Sequence, residues 1–323
     1  MTDESWPMVE EAVFRLFDEA AAKDEHVCLG PRLADLGWAE IEAEYSAEAG
    51  ELLCRAQGRS LARTDALDRL MLAELRALFD GQVDGIVLPW LSSGWVPSSS
   101  DGRVHGLVLG PLRGRLLVPC SGAMGTVAVA VVDADTLHGE RLDTFDRSVV
   151  WTAVKGTWAT EPIDASTEWA RALAAGHRGL ATELVALADQ ALRIAVEHTS
   201  VRVQFGSPIG SLQAPRHALA DSAATLEGAR ALLNHAWRCG GALAAQVAKI
   251  AAGRAHRAVT DAVLQACGAV GLTAEHDLHR YVARGFQADA LCGSYQQLES
   301  LLAEQLFDAY APGKALPAII NAN

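Results

Sequence analysis

The apolar residues change their spacing twice along the chain, and that double switch restricts the fold more than any other feature. Through residue 85 they recur at helical intervals: Val9, Val13, Leu16 and Phe17, then Leu33, Leu36 and Ile41, then Leu67, Leu70, Leu72, Leu75 and Leu78. The residues around them are Glu, Ala, Leu and Arg, all good helix formers. From 86 to 160 the runs shorten, alternate and fill with Val: Ile86–Leu91, Val104–Gly110, Gly114–Cys120, Thr126–Asp135 and Val149–Trp158. Turn formers separate them, such as Pro97-Ser98-Ser99-Ser100-Asp101-Gly102, Gly110-Pro111 and Ser121-Gly122. From about 163 the helical spacing returns, with Leu180, Leu184, Leu187, Ala191, Ile194 and Ala195 on one stripe and Leu212, Leu219, Ala223, Leu226, Ala229 and Leu233 on a second. A third segment runs over 241–267, and a fourth carries Leu298, Leu301, Leu302 and Phe307. The expectation is an α+β, mainly α fold: an N-terminal helical domain over 1–85, a small antiparallel β domain over 86–160 and a C-terminal four-helix bundle over 161–323. No strand–helix–strand alternation supports a dinucleotide-binding parallel sheet.

Composition removes several function classes. The chain has 323 residues, roughly two domains' worth. Half of them are hydrophobic, which gives ample apolar surface for a core and excludes wholesale disorder. Lys+Arg number 27 against 40 Asp+Glu, a net charge of −13 with no basic run, so nucleic acid is not an expected partner. No stretch approaches the length of a membrane span, and the acidic start MTDESWPMVEEAV lacks the features of a signal peptide, so a cytoplasmic protein is expected. The six cysteines (28, 54, 120, 239, 267 and 292) form no CxxC pair and are expected to be reduced and mostly buried.

There is no phosphate-cradling GxxxxGK[ST] or GxGxxG loop, no HExxH and no GxSxG elbow. One segment is dense in polar and turn-forming groups: Val201 to Gln213, continuing to His217 and Asp221. A long helix is expected to end at Gly206 and another to start near Leu212, which makes this an interhelical corner. Arg202 offers a fixed fork of donors suited to a phosphate or pyrophosphate, with Gln204, Ser207 and Ser211 beside it. Read locally, a capped turn whose Arg pairs with a surface carboxylate is the commoner arrangement. His276 and His279 share a helical face and raise the thought of a metal, but packing or hydrogen bonding at a subunit contact is the commoner role and no metal is expected. Asp133 and Asp135 fit a strand-to-turn transition. Trp90, Trp95, Trp151 and Trp158 read as core or interface residues of the sheet zone, and Arg254, His256 and Arg257 as a solvated or interface face.

Two blocks carry a resemblance. Arg202–Gln213 reads R-x-Q-F-G-x-P-I-G-x-x-Q and is followed by H-x-L-A-D at 217–221; Gln265–Arg280 is similar to a Q-x-x-G-G-x-G-x-T segment. Together they resemble the acyl-CoA dehydrogenases, and Leu33-Ala-Asp-Leu-Gly-Trp38 adds a weaker match. The Glu275-His-Asp-Leu-His279 ending is similar to bacterial members acting on steroid and other bulky CoA thioesters. The resemblance implies FAD as cofactor and α,β-dehydrogenation of an acyl-CoA, with electron-transfer flavoprotein as acceptor. Carried over, Arg202 contacts the FAD pyrophosphate, Gln204 and Phe205 flank the cofactor, and Gln265 with the backbone at Gly268 meets its pyrophosphate or adenine side. Ala269 stands in place of the family's second Gly.

The chain also departs from the family pattern. Of the two places the family uses for its catalytic Glu, one maps to Cys292, directly before Gly293, and the other to about Gly176. Glu168 and Glu183 are the nearest acids to the latter, and Glu183, roughly 10 Å further along the helix, is expected on the helix surface or at a subunit contact. The T-E-x-x-x-G-S-D stretch that cups the flavin ring is missing, Thr160-Glu161 leading instead into Pro162-Ile163. The expectation is therefore a smaller, degenerate subunit that completes a composite FAD site with a larger homologous partner, in an α2β2 assembly, the catalytic residues of this chain being unknown. Two alternatives stay open: a scaffold subunit without flavin contact, and a self-sufficient homo-oligomer using Glu168 or Glu183 as base.

Overall fold

The structure, a computed structural model, describes residues 5–309 apart from 24, 92–95, 100, 123–124, 159–160 and 274. Trp95 and Thr160 therefore lie outside the described residues. The chain forms two compact units, Met1–Gly179 and Leu180–Asn323.

The first unit opens with helices α1 (Trp6–Ala21), α2 (Gly30–Ala34), α3 (Trp38–Glu44), α4 (Ser46–Ser60) and α5 (Ala66–Leu75). Helix α1 carries Pro7 in its first turn, where the missing amide costs nothing. Phe17, Leu33, Trp38 and Leu52 close a common core. At the end of this helical part, Asp68 is fully buried and accepts the amide of Ile86 at 3.0 Å. Burial pushes its carboxyl up to about 7, the Ile86 hydrogen bond working against that and nearby Asp65 adding to it.

Eight strands follow among the described residues: β1 (Gly85–Ile86), β2 (Leu88–Pro89), β3 (Arg103–Leu109), β4 (Arg115–Ser121), β5 (Val127–Asp133), β6 (Leu137–Arg141), β7 (Trp151–Thr157) and β8 (Ile163–Asp164). They form two four-stranded sheets, β1-β4-β5-β8 and β2-β3-β7-β6. The ladders are antiparallel, as the Val-rich runs suggest, except that β1 pairs with β4 in parallel. Ser98 bridges the two sheets, pairing with Val104 in one and Cys120 in the other. Its hydroxyl donates to the Arg103 carbonyl at 2.8 Å and accepts from Trp158 Nε1 at 2.7 Å. Trp151 is buried, and Trp90 stacks on His105.

Helix α6 (Ser166–Val201) runs through the boundary between the units. The second unit adds α7 (Gln213–Cys239), α8 (Ala242–Cys267), α9 (Leu278–Asp289) and α10 (Tyr295–Ala309). Small residues (Ala188, Ala191, Ala195, Ala248, Ala252, Ala255) let these helices approach closely, while Leu184, Leu226 and Leu233 fill the remaining space. The expected four-helix bundle thus has a further member, α9, whose stripe is interrupted in the sequence by the buried polar residues Arg284 and Gln287.

Two sequence expectations are corrected here. Residues 174–188 of α6 are buried on every side, so Glu183, 6% exposed, is an interior residue and not a surface one. His256 is likewise interior, unlike its exposed neighbours Arg254 and Arg257, which pair with Glu299 and Asp261. Its ring is lodged against Gly285, where no Cβ fits, and edge-on to Phe286, and burial pushes its imidazole down to about 4. Another charge is locked inside: Lys249 Nζ donates to Asp289 Oδ1 at 3.1 Å and to the carbonyls of Asp289 and Gly293. None of the six cysteines forms a disulfide; four of them are buried, and Cys28 and Cys239 are exposed. No described helix is long and apolar enough to cross a membrane.

Candidate functional site

The corner singled out in the sequence is not a plain interhelical loop. Helix α6 stops at Val201, before the expected Gly206, because Val203–Gln204 (β9) pairs with Ser207–Pro208 (β10) as a two-residue hairpin. Phe205 and Gly206 form its turn with φ of +54° and +83°. Positive φ at both central positions is what the right-handed twist of a tight hairpin demands. Gly206 adopts it freely, whereas Phe205 bears a steric cost that other L-residues avoid. The Ile209 amide closes the loop onto the Arg202 carbonyl at 2.8 Å, and the chain then enters α7.

The hairpin projects outward. Phe205 is 93% exposed, and Val201, Val203 and Leu212 around it are exposed apolar side chains. Arg202 and Gln204 are exposed too. Among the described residues, no carboxylate pairs with Arg202, so the reading of this Arg as a surface ion-pair partner is not the arrangement found. The second sequence block lies at the same end of this unit. Gln265 is exposed on the last turn of α8, and Gly268 ends that helix at φ +66°, a conformation closed to most side chains, with open space where a Cβ would stand. Val270 and Leu272 beyond it are exposed. The two blocks are tied together by His198, which sits beside Arg202 in charge terms and packs edge-on against His276 with ring centroids 5.6 Å apart. His198, Cys267 and His276 place one potential ligand atom each within 4.8 Å of one another. His279 does not join them; its Nδ1 lies 2.7 Å from the His276 carbonyl oxygen, to which it donates.

Neither position at which a base was sought offers one. Cys292 is buried at φ +53°. Gly176 packs where a Cβ would meet Met71 Sδ at 3.0 Å. Glu168 lies 3.7 Å from Arg171, and Asp289 is held by Lys249. The corner thus presents an exposed guanidinium, exposed side-chain amides and an open glycine backbone within an apolar rim.

This arrangement, two sheets between helical segments and a terminal set of long helices with a hairpin corner, defines the acyl-CoA dehydrogenase fold. Residues 168–306 match the model of the acyl-CoA dehydrogenase C-terminal domain. Among relatives, it is 38% identical over 121 residues to acyl-CoA dehydrogenase IpdE2 of Mycobacterium tuberculosis, the aligned segment covering 38% of this chain and only 36% of that protein. In fold it is similar to a chain of the ChsE4-ChsE5 complex from Mycobacterium tuberculosis (TM-score 0.79, 20% identity, 96% of this chain and 99% of that one). A variant of the Tcur3481-Tcur3483 steroid ACAD also aligns (TM-score 0.64, 26% identity, 80% of this chain and 81% of that one).

Proposed function

We propose that the chain is the smaller subunit of a heteromeric acyl-CoA dehydrogenase acting on a bulky acyl-CoA such as a steroid side-chain thioester, and that it lends one edge of a composite FAD site to a larger homologous subunit. The observation that carries this reading is the exposed Arg202 on a strained hairpin, next to Gln265 and Gly268, in a chain with no carboxylate at either position of the base. The residues fit the cofactor: a diphosphate rewards a bidentate guanidinium, and an open positive-φ glycine lets backbone amides approach it closely. Arg202 would grip the pyrophosphate, Gln204 and Phe205 would cover the adjoining part of the cofactor, and Gln265 with the Gly268 backbone would meet its pyrophosphate or adenine side. When bound, FAD supplies the acceptor for the hydride that leaves the β carbon. The α proton goes to a base on the partner, since none of this chain's carboxylates stands where the family keeps it. The similarity to chains of two named two-component complexes supports an α2β2 assembly, with electron-transfer flavoprotein taking the electrons.

The test is co-expression with a longer homologue that has an intact base. The chain alone should be colourless and inactive, and the complex yellow and active. Arg202→Ala should leave the complex assembled but strip its flavin. A yellow, active preparation of this chain alone defeats the proposal, and flavin retained in the Arg202→Ala complex favours a scaffold without cofactor contact. Loss of turnover with flavin retained in Glu168→Gln or Glu183→Gln would instead support a base within this chain.

A further inference from the structure

We propose that His198, Cys267 and His276 form a binding site for a divalent metal ion of the zinc type. The three come from separate segments: the last turn of α6, the final residue of α8 and the loop before α9. Each offers one ligand atom within 4.8 Å of the other two. Among the described residues, the side chains of His198 and Cys267 make no hydrogen bond. A tetrahedral zinc with nitrogen at about 2.0–2.1 Å and sulfur at about 2.3 Å sets its ligand atoms roughly 3.4–3.7 Å apart. Closing the site therefore takes movement on the order of 1 Å, which two half-buried imidazoles can supply. Two imidazoles and a thiolate suit zinc or cobalt and not magnesium or calcium, and a fourth position remains for water.

The protonation balance is simple. Burial, then the neighbouring His276 and Arg202, hold His198 below the ordinary imidazole value, so its lone pair is free near pH 7. The Cys267 thiol is held up by burial; on binding, its proton leaves to solvent, a sulfur–metal bond forms and no electron is transferred. The thiolate offsets one of the metal's two charges, which limits the opposition from Arg202. His276 Nδ1 now accepts the Leu278 amide at 3.3 Å, and whichever ring nitrogen binds the metal, that bond is given up. Leu278 opens α9, so its amide has no partner within the helix, and the loss of this bond at a buried residue is part of the cost of binding. His279, donating to the His276 carbonyl, holds the ligand loop in place. The site needs neither flavin nor a partner subunit, so it stands apart from the functional reading above.

The experiment titrates the chelator-treated full chain with Co²⁺ and then Zn²⁺. One equivalent of cobalt should produce a thiolate-to-metal charge-transfer band with tetrahedral d–d absorption; zinc should abolish both and raise the thermal midpoint. Cys267→Ala, which keeps the position apolar, should lose the band, and His276→Ala should weaken cobalt binding at least tenfold. Cys239→Ser should leave the band intact, although Cys239 Sγ lies 3.3 Å from His235 Nε2 and is the other Cys–His pair of this unit. No band in the wild-type chain, a band surviving Cys267→Ala, or one lost with Cys239→Ser overturns the proposal. Should Cys267→Ala fail to fold, the half-buried His276 decides, and unchanged cobalt affinity in His276→Ala is equally fatal.

Discussion

Individual side chains in the second unit separate into those that hold the fold and those free to serve a ligand. Arg202 is exposed and touches no carboxylate among the described residues, so Arg202→Ala should shift the stability of the isolated chain by no more than about 0.5 kcal/mol, measured by urea unfolding. Gly285 is the opposite case. Its missing side chain makes room for the buried His256 ring, and Gly285→Ala should cost about 1–3 kcal/mol in the same measurement because neither α9 nor the ring can yield cheaply. Lys249 is a third kind. It is fully buried and donates to three oxygens, so Lys249→Met leaves the Asp289 carboxylate without its cation and with the Tyr295 amide as its remaining donor, at a cost of about 3–5 kcal/mol. An alanine scan that lumps these positions together would mistake architecture for function.

At the scale of elements, the hairpin β9–β10 is where strain and exposure meet. Replacing Phe205 with Gly removes the steric cost of its positive φ, so the isolated chain should keep its stability within about 0.5 kcal/mol. The same change deletes the large exposed aromatic, and the co-expressed complex should retain less flavin, read as absorbance per mole of complex. Much of this layout was legible in the sequence, because long helices with regular apolar stripes and Val-rich runs between turn residues announce themselves through their period. The hairpin was not, since Val203-Gln204 and Ser207-Pro208 are too short to show a period and sit directly after a strongly helical segment. Helix α9 was hidden by its buried Arg284 and Gln287, and Glu183 was misplaced because a helix enclosed on all sides has no polar face to reveal. Arg202 and Gln204 stood out by their local chemistry, whereas Phe205, Gln265 and Gly268 came from motif resemblance alone; that Arg202 has no carboxylate partner among the described residues is visible only in three dimensions. His198 was not linked to Cys267 and His276 in the sequence, because it lies on a different helix far upstream of the block that holds the other two.

For the whole molecule, pH should act on the two units with opposite sign. Asp68 in the first unit has a folded pKa of about 7, above its unfolded value of 3.8, so it binds more protons when folded between those limits. Its contribution is full at acid pH and is lost as pH rises through 7. His256 in the second unit is held at about 4, below 6.5, so its contribution is full above 6.5 and is lost as pH falls toward 4. Asp68→Asn removes the first effect while keeping an acceptor for the Ile86 amide. Its stability should therefore climb more steeply than that of the wild type from pH 4 to 7, and exceed it at pH 8 on the order of a few kcal/mol. Denaturation curves at several pH values check this, and parallel curves for the two proteins would refute it.

The Cys292–Gly293 bend also bears on whether this chain has an evolutionary way back to self-sufficiency. A glutamate at 292 would arrive in a left-handed backbone, under a nearly closed surface, beside an Asp289–Lys249 lock that already claims the Gly293 carbonyl. Cys292→Glu should therefore cost stability and confer no turnover; under the proposed division of labour, a single substitution at this bend gives the chain no base of its own.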